Sequence, residues 1–385
     1  MRALTLGTAL AALLAGVALP AAAETEPVYR AGRYAAVTPV RLHDTRASSA
    51  IGPGGTVRIA LGDKVPSDAT AVVLTITVPS ATATTQLTAY AAGAGRAGGT
   101  VQVRSGETRA AQLTVGIGGT AAVEVHNSAG QTHVIADLVG YYRAGGGAGF
   151  RGVTPVRASS QRGIPAKTTR TVDLSGHVPE GAVAAVLSIT ADAGSATHLT
   201  VWQSGVTRPG IGGLPLAAGE ARTHLIAVAL GTGRSISLYH YSGTVNAAVD
   251  LLGYYTPTGG AAYQARTPVR EYDSRADYPS GLPGLPIPPN SRVSFSVSDS
   301  VPADATGVVL GVIGFSASET TALTLWADAR SPRPEVTSVS VPSGKTVAGG
   351  VALGMRATDL VTVYNSAGRI HVAADLLGYF LAAEA

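Results

Sequence analysis

The sequence predicts an all-β protein made of three tandem antiparallel β-sandwich or jelly-roll-like domains. Its recurring segments, such as AVVLTITV, LTVWQ and LVTVYN, are short, rich in Val, Ile, Thr and Tyr, and bounded by Gly, Pro, Asn or Ser, which is typical of strands. No long segment after the N-terminus has the 3.6-residue apolar period of a capped helix. Many short, evenly spaced strands favour a sandwich of about 110 residues.

The same sequence marks recur three times in the same order. An aromatic residue (Tyr34, Phe150 or Tyr263) precedes Thr-Pro-Val-Arg, an apolar run beginning Val-Pro follows, and each unit closes with ADLVGYY, VDLLGYY or ADLLGYF. A period this long indicates tandem whole domains. The predicted domains are 34–142, 150–255 and 263–380. The Gly-rich joints RAGGGAG and TPTGGAA predict flexible connections, and we expect a pseudo-threefold arrangement, similar to a trimer in one chain.

The N-terminus has the pattern of a secretory signal peptide. A basic start precedes an apolar run that ends in Ala21, Ala22 and Ala23, so residues 1–23 are predicted to be removed on export. A retained membrane anchor is the alternative, but the run is short and dotted with small residues. No other segment predicts membrane insertion. The sequence has no cysteine, which excludes disulfides and thiol chemistry. The mature protein is expected to be secreted and extracellular.

The composition favours packed cores over disorder or nucleic-acid binding. Only 14% of the residues are charged, and mean hydropathy is +0.24, which predicts folded domains. The net charge of +4 comes from scattered arginines without a basic run. Because nucleic-acid sites concentrate basic and aromatic residues on one face, we expect no nucleic-acid partner.

Each unit keeps an arginine near its start and an aspartate in its last strand. That strand is apolar on both faces, so its aspartate would be buried and would need a partner. Arginine suits this role because its guanidinium can bond both carboxylate oxygens. We therefore predict structural ion pairs between the first and last strands. The pairs are Arg41 with Asp137, Arg157 with Asp250, and Arg270 with Asp375.

Asp44 and Asp273 stand in HDTR and YDSR, where the second unit has SSQR with Ser160. A turn residue tolerates the exchange of aspartate for serine, whereas a catalytic carboxylate does not. The turn interpretation is therefore favoured, and ligand or cation binding by these two aspartates is the alternative.

No recognised catalytic constellation is present. The sequence lacks a G-x-S-x-G elbow and an H-E-x-x-H motif. GAGRAG (93–98) matches G-x-G-x-x-G but leads into a predicted strand, so it is interpreted as a hairpin loop rather than a dinucleotide site. His133 and His371 lie four residues before their aspartates, about 13 Å apart along a strand, and are expected to be half-buried. The sequence predicts a non-enzyme without cofactor or metal.

Tyr90, Trp202 and Trp326 occupy equivalent positions in LTAY, LTVW and LTLW. If the Leu face of these strands is core, strand alternation points the aromatic rings outward. Flat aromatic surfaces can stack on sugar rings, so these residues are candidate ligand-binding residues. The alternative, which we favour, is that they pack under a loop or between domains, because large apolar side chains rarely stay exposed.

Taken together, R-x-x-D-[ST]-R, V-P-x-x-A-x-x-V-V-L, L-T-V-[YW], Y-N-S-x-G and H-[VL]-x-x-D-[LV]-x-G-Y-[YF] resemble a tandem module of secreted actinobacterial proteins. The resemblance covers nearly all of residues 34–380. It implies non-catalytic extracellular modules that bind cell wall or carbohydrate. The second copy departs from the pattern at Ser160, Gln161, His240, Tyr241 and Asn246.

The expected function is non-catalytic binding or adhesion at a cell surface, with cell-wall polysaccharide or a surface protein as partner. The alternative is a structural scaffold or subunit of a secreted assembly that does not bind sugar. Hydrolysis is a third hypothesis, for which the sequence offers no nucleophile–base pair.

Overall fold

The computed structural model describes residues 27–211, 213–276, 284–327, 330–355 and 359–382. The predicted signal peptide, 1–23, lies outside the described residues. Within them the regular structure is antiparallel β-sheet apart from two short 3-10 helices, Thr45–Ala47 and Gly62–Lys64, so the all-β prediction is confirmed. No helix in the described part of the chain is long and apolar enough to cross a bilayer.

The first repeat forms two four-stranded sheets with the orders β1-β8-β3-β6 and β2-β7-β4-β5. In each sheet an early strand of the repeat pairs with a late one, β1 with β8 and β2 with β7. The strands are β1 (Arg33–Asp44), β2 (Thr56–Ala60), β3 (Ala69–Val78), β4 (Thr85–Ala91), β5 (Gly99–Val103), β6 (Arg109–Gly116), β7 (Ala122–Asn127) and β8 (Ile135–Arg143).

The second repeat has the same strand order, with sheets β14-β11-β16-β9 and β10-β15-β12-β13. Its strands are β9 (Gly149–Pro165), β10 (Thr169–Asp173), β11 (Ala184–Ala193), β12 (Thr197–Gln203), β13 (Gly213–Leu216), β14 (Arg222–Ala229), β15 (Ser235–Tyr239) and β16 (Thr244–Thr256).

The third repeat again follows this order, with sheets β17-β24-β19-β22 and β18-β23-β20-β21. Its strands are β17 (Ala262–Asp273), β18 (Ser291–Ser296), β19 (Ala305–Phe315), β20 (Thr321–Ala327), β21 (Val339–Val341), β22 (Val347–Gly354), β23 (Leu360–Asn365) and β24 (His371–Leu381). The described residues therefore contain six sheets, two from each repeat.

Three hydrophobic cores lie within single repeats, and a fourth is shared by all three. Strand β3 contributes side chains to two of these cores. Val72, Leu74 and Ile76 belong to the core of the first repeat, whereas Ala71 and Val73 belong to the shared cluster. Because alternate side chains of a strand point to opposite faces, a strand covered on both faces reads as a continuous apolar run. This explains the run AVVLTITV.

The shared cluster contains six buried aromatic rings, two from each repeat. They are Tyr34, Tyr142, Phe150, Tyr255, Tyr263 and Phe380. In each repeat one ring opens the first strand and the other closes the last strand. The closest ring pairs join different repeats: Phe150 and Phe380 at 4.0 Å, Tyr34 and Tyr255 at 4.4 Å, and Tyr142 and Tyr263 at 4.6 Å between centroids. The first ring of each repeat thus packs on the last ring of another.

Reciprocal backbone hydrogen bonds also connect the three first strands. Tyr34 pairs with Ala148, Phe150 with Ala261, and Tyr263 with Gly32, each by two bonds of 2.7–2.8 Å. The N-terminal segment before β1 therefore closes a ring of contacts. A second set of equivalent strands also makes contacts from one repeat to the next around the ring: β6 contacts β13, β14 contacts β21, and β22 contacts β5.

The Gly-rich joints between repeats are part of this ring. Gly146 and Gly147 have φ values of 101° and 100°, a region that L side chains rarely adopt. A Cβ on Gly147 would also lie 2.7 Å from the carbonyl oxygen of Arg33. These glycines allow a tight bend, in which the carbonyl oxygen of Gly147 accepts a hydrogen bond from Arg33 Nε at 3.1 Å, where the composition alone predicts a flexible linker.

Candidate functional site

The structure brings together each Arg–Asp pair predicted from the sequence. Arg41 lies opposite Asp137 in the β1–β8 register. Its Nε donates to Oδ1, and its Nη2 donates to Oδ2 at 3.4 Å. The other two pairs have the same bidentate geometry, with Nη2–Oδ2 distances of 3.4 Å for Arg157–Asp250 and 3.3 Å for Arg270–Asp375. We call these contacts the terminal-strand ion pairs.

The three carboxylates differ in their exposure to water. The side chains of Asp137 and Asp250 are 1% and 0% exposed, whereas that of Asp375 is 25% exposed. Their arginine partners are all about one-third exposed. Burial raises the pKa of Asp250, although Arg157 and the backbone N–H of Thr337 oppose this shift. Asp375 is therefore the aspartate of the three that a ligand can approach.

Asp44 and Asp273 each lie between two arginines. Asp273 accepts hydrogen bonds from the backbone N–H of Arg275 at 3.0 Å, from its Nε at 2.9 Å, and from Arg270 Nη1 at 2.5 Å. Asp44 makes the equivalent contacts with Arg46 and Arg41. The side-chain hydrogen bond from Arg275 lowers the pKa of Asp273 to about 2. Because both carboxylates already have these partners, the geometry favours the turn interpretation over ligand binding.

Tyr90, Trp202 and Trp326 are buried, as the favoured interpretation predicts, and the alternative of exposed, sugar-stacking rings is wrong. They are 3%, 5% and 0% exposed. Trp202 lies under the loop that follows its strand, and its Nε1 donates to the carbonyl oxygen of Val206 at 3.1 Å. Tyr90 lines a crevice with Arg266 and Leu377 of the third repeat. Alternation along a strand identifies two faces but not what covers them, so these residues offer no sugar-stacking surface.

The structure shows a candidate binding groove of about 290 Å³ between the first and third repeats. Arg270, Arg275 and Asp375 lie on one side, and Gln86 lies on the other. The Arg275 guanidinium stacks on Phe315, with 3.8 Å between Cζ and the ring centroid. Apolar side chains, among them Leu113 and Leu377, and several small residues also line the groove, the small ones including Gly98, Gly99, Ala111, Gly311, Gly349 and Gly350. The groove combines hydrogen-bond donors, a carboxylate and room for a ligand.

One glycine distinguishes this groove from the corresponding positions in the other repeats. The residue paired with the aspartate across the sheet is Thr75 in the first repeat, Ser188 in the second and Gly311 in the third. Without a side chain, Gly311 leaves space beside Asp375. The runs VVLTIT, AVLSIT and VVLGVI differ at this position, a difference that lies outside the residues common to all three repeats.

In the second repeat, a segment of the third covers the equivalent aspartate. The backbone N–H of Thr337 donates to Asp250 Oδ2 at 3.1 Å. Ser188 Oγ donates to the carbonyl oxygen of Thr337 at 2.7 Å. These two bonds fix the segment over the carboxylate. Ser188, at the position where the third repeat has Gly311, thus helps to hold the segment that covers Asp250.

The histidines near the terminal-strand ion pairs have structural partners. His133 Nδ1 lies 3.1 Å from Thr45 Oγ1, and His371 Nδ1 lies 3.1 Å from Ser274 Oγ. Both are half-buried, as expected. GAGRAG joins β4 to its antiparallel partner β5, so the hairpin interpretation is confirmed. In the described residues, no cluster of three or more His, Cys, Asp or Glu could hold a metal ion.

Comparisons with known proteins give no family for this chain. No protein-family model matches it, and no curated protein matches it. Solved structures with some similarity include that of the Sulfolobus turreted icosahedral virus, with 10% identity, 88% of this chain and 86% of that chain covered, and a TM-score of 0.19.

Two further solved structures show a similar level of likeness. The CBM22-1-CBM22-2 tandem domain of Paenibacillus barcinonensis Xyn10C has 10% identity, 62% and 94% coverage of the two chains, and a TM-score of 0.18. An archaeal virus protein described by its triple jelly roll fold and turret assembly has 11% identity, 96% and 99% coverage, and a TM-score of 0.19. At these scores the likeness does not establish a shared fold or function.

Proposed function

We propose that this protein is a secreted, non-catalytic binding protein that holds a sugar unit of a cell-surface or cell-wall polysaccharide in the groove beside Asp375. The observation that carries the proposal is the 25% exposure of the Asp375 side chain in a groove of about 290 Å³. This volume is at the lower end of the range for small-molecule sites, roughly 300–1,000 Å³, and suits a mono- or disaccharide.

The polar groups of the groove suit a neutral ligand with many hydroxyls. Asp273 and Asp375 balance the charges of Arg270 and Arg275, which they contact. Carboxylates accept hydrogen bonds, guanidinium groups donate them, and the amide of Gln86 can do both. A sugar presents adjacent hydroxyls that both donate and accept. The groove therefore offers complementary partners without an unpaired charge.

The proposal includes an architecture of three β-sandwich domains about a pseudo-threefold axis, at 34–142, 150–255 and 263–380. The identical strand orders and the cyclic contacts of β6 with β13, β14 with β21 and β22 with β5 support it. The resemblance to extracellular repeat modules of secreted actinobacterial proteins belongs to the same proposal. Export is tested by N-terminal sequencing of the protein from culture medium, which should begin directly after Ala23.

The binding test uses the mature protein and isolated cell walls, followed by calorimetry with the released oligosaccharides. Gly311→Thr places the first repeat's residue in the groove. A Cβ there would lie 3.5 Å from Leu377, an ordinary contact, so the fold should tolerate it. We expect at least tenfold weaker binding with an unchanged melting temperature. Undiminished binding by this variant would show that the groove is not the site.

A matched pair of arginine variants controls for loss of the turn contacts. Arg275→Ala removes a groove residue, whereas Arg46→Ala removes its equivalent in the first repeat, which makes the same contacts with Asp44. Only Arg275→Ala should weaken sugar binding. Equal effects of the two substitutions would assign the arginine a purely structural role.

A structural role in a secreted assembly is the second candidate function. The observation that favours it is an exposed aromatic and basic patch on the second repeat. Tyr241 is 54% exposed, Val206 is 51% exposed, and Arg208 stacks on Tyr239 with 3.6 Å between Cζ and the ring centroid. Light scattering of the wild type and a Tyr241→Ser variant tests this role. An oligomer that depends on Tyr241, together with an absence of sugar binding, would favour the structural role over sugar binding in the groove.

A further inference from the structure

A partly buried ion cluster lies where the first and second repeats meet. The first repeat contributes Arg104, Glu107 and Arg109, and the second contributes Glu220 and Arg222. The two glutamates bridge the arginines, with 2.8 Å between Arg109 Nε and Glu107 Oε1 and 3.2 Å between Arg104 Nη2 and Glu220 Oε2. Every arginine of the cluster contacts both carboxylates.

The cluster carries an excess of one positive charge. It holds three arginines against two glutamates, and the Arg222 side chain is only 3% exposed. Burial, followed by the charge of Arg109, lowers the pKa of Arg222. Burial opposes ionisation of Glu107, but the arginines outweigh it and keep the pKa of Glu107 below its usual value. An unbalanced charge in such an environment is costly without a counterion.

Three buried nitrogen atoms around the cluster have no hydrogen-bond partner. They are Arg104 Nη1, Arg222 Nε and His224 Nε2. Their side chains line one cavity of about 40 Å³, together with Ser340 and Thr346 of the third repeat. Burial, followed by the charges of Arg109 and Arg222, lowers the pKa of His224 to about 3, so its ring is neutral at neutral pH. A neutral imidazole can still donate one N–H bond from Nε2.

The sequence around the cavity reinforces its positive charge. The motif Gly-Glu-x-Arg supplies Glu107 in the first repeat and Glu220 in the second. At the equivalent position the third repeat has Gly-Lys-Thr, with Lys345 in place of the glutamate. Lys345 is exposed and contributes no carboxylate. With Val347 at the last position, the third repeat supplies neither the glutamate nor the arginine of the motif. The excess positive charge of the cluster is therefore left to be balanced by another group.

We propose that this cavity binds one small monovalent anion of the size of chloride. The anion accepts hydrogen bonds from Arg104, Arg222 and His224 and neutralises the cluster. A cavity of about 40 Å³ exceeds the roughly 10–15 Å³ needed for one water, but it leaves little room for a phosphate ester or a nucleotide. A cation would meet unpartnered donors and carboxylates already bound by arginine. The anion cavity adjoins the sugar groove, with which it shares Ala111, Ala348, Gly349 and Gly350, but the anion proposal does not depend on sugar binding.

The first test compares thermal unfolding in sodium chloride and in sodium gluconate at equal ionic strength. An anion that binds only the folded state raises the melting temperature in a saturable way. We expect a saturable rise of a few degrees with chloride and none with gluconate. Arg104→Met removes the excess charge and one donor and should abolish the chloride dependence. Arg58→Met, which alters an exposed pair with Glu124, should retain it.

His224→Phe provides a graded test, because it removes one donor but keeps the charge. Chloride affinity should fall by about tenfold, in line with the loss of one hydrogen bond to a charged group. A second measurement does not depend on any variant folding. Crystals of the wild type grown in bromide should show an anomalous peak within hydrogen-bond distance of the three nitrogens. A water there and a chloride-independent melting temperature would overturn the proposal.

Discussion

Among single residues, the terminal-strand ion pairs share their geometry but differ in their access to water. Asp137 is 1% exposed and Asp375 is 25% exposed. A buried carboxylate that loses its partner remains charged in a poor solvent, whereas a partly exposed one can be hydrated. The same contact should therefore contribute unequally to the stability of the first and third repeats.

We predict that Arg41→Ala lowers the free energy of unfolding by about 3–5 kcal/mol, because it leaves Asp137 buried and unpaired. Arg270→Ala should cost less, since water reaches Asp375. Chemical denaturation of the two variants under identical conditions measures the difference. Equal costs would show that exposure of the carboxylate does not govern the contribution of the pair.

The lowered pKa of Asp273 predicts a dependence of stability on pH. Hydrogen bonding to Arg275 lowers its pKa from 3.8 to about 2 in the folded state. The stabilisation is present above about pH 4 and is lost as the pH falls towards 2. The free energies of unfolding of the wild type and of Asp273→Asn should therefore differ at pH 7 and converge towards pH 2. Asp304→Asn, at an exposed position, serves as control, and a constant difference down to pH 2 would contradict the prediction.

The pairing residues could be found in the sequence, but the segment that covers each side chain could not. Arg41 and Asp137 recur at matching places in every unit, and a carboxylate in an apolar strand implies a partner. Trp202 lies in an alternating strand, but the loop around Val206 that covers it has no periodic pattern from which its path could be predicted. Whether a face of a strand is exposed depends on tertiary contacts, and the open Asp375 depends on the absence of a side chain at Gly311.

Among the structural elements, the turn after the seventh strand connects the two sheets of a repeat. The sequence NSAG, at 127–130 and 365–368, has a composition that favours a hairpin turn between neighbouring strands, but β7 pairs with β2 and β4 whereas β8 pairs with β1 and β3. The segment therefore crosses from one sheet to the other. Turn composition is the same for both connections, so sequence alone does not distinguish them.

The buried asparagine of this turn fixes the crossover. Asn127 Nδ2 donates to the carbonyl oxygens of Ile51, Gly52 and Gly130, and Thr85 Oγ1 donates to its Oδ1. Asn365 makes the equivalent bonds in the third repeat. In the second repeat, His240 takes the place of asparagine, and its ring nitrogens lie 3.1 Å from the carbonyl oxygen of Ser242 and 3.0 Å from that of Ile164. The apparent departure of this repeat thus preserves the connection.

We predict that Asn127→Ala lowers the free energy of unfolding by about 1–3 kcal/mol, because buried carbonyl groups lose their donor. Asn127→Asp, which keeps the shape but replaces the donor by an acceptor, should cost at least as much. Urea denaturation measures both, with Ser128→Ala as a milder neighbouring change. An Asn127→Ala variant as stable as the wild type would mean that water replaces the amide.

In the whole molecule, the shared aromatic cluster joins the three repeats into one unit. Phe150 stacks on Phe380 and lies 5.5 Å from Tyr255 between ring centroids. The recurrence of these aromatics was visible in the sequence, and it predicted three copies of one unit. Which faces of the copies meet was not visible, because core and interface positions are both apolar.

We predict that the wild type unfolds in one cooperative thermal transition and that Phe150→Ala lowers its stability by about 3–5 kcal/mol. The substitution removes a ring from the shared cluster while leaving the core of each repeat intact. Calorimetry should therefore show a broader or divided transition. Leu187→Ala, within the core of the second repeat, is the matched control. Three separate transitions in the wild type would contradict the prediction.

Placing the three repeats on one chain has a consequence for Gly311. In an assembly of three identical chains, a glycine at this position would appear three times, and every equivalent carboxylate would become accessible together. Here the neighbouring positions keep Thr75 and Ser188, so a single interface can change while the other two remain sealed. Covalent linkage thus allows one repeat to expose its aspartate to a ligand while the equivalent aspartates of the other two repeats stay buried.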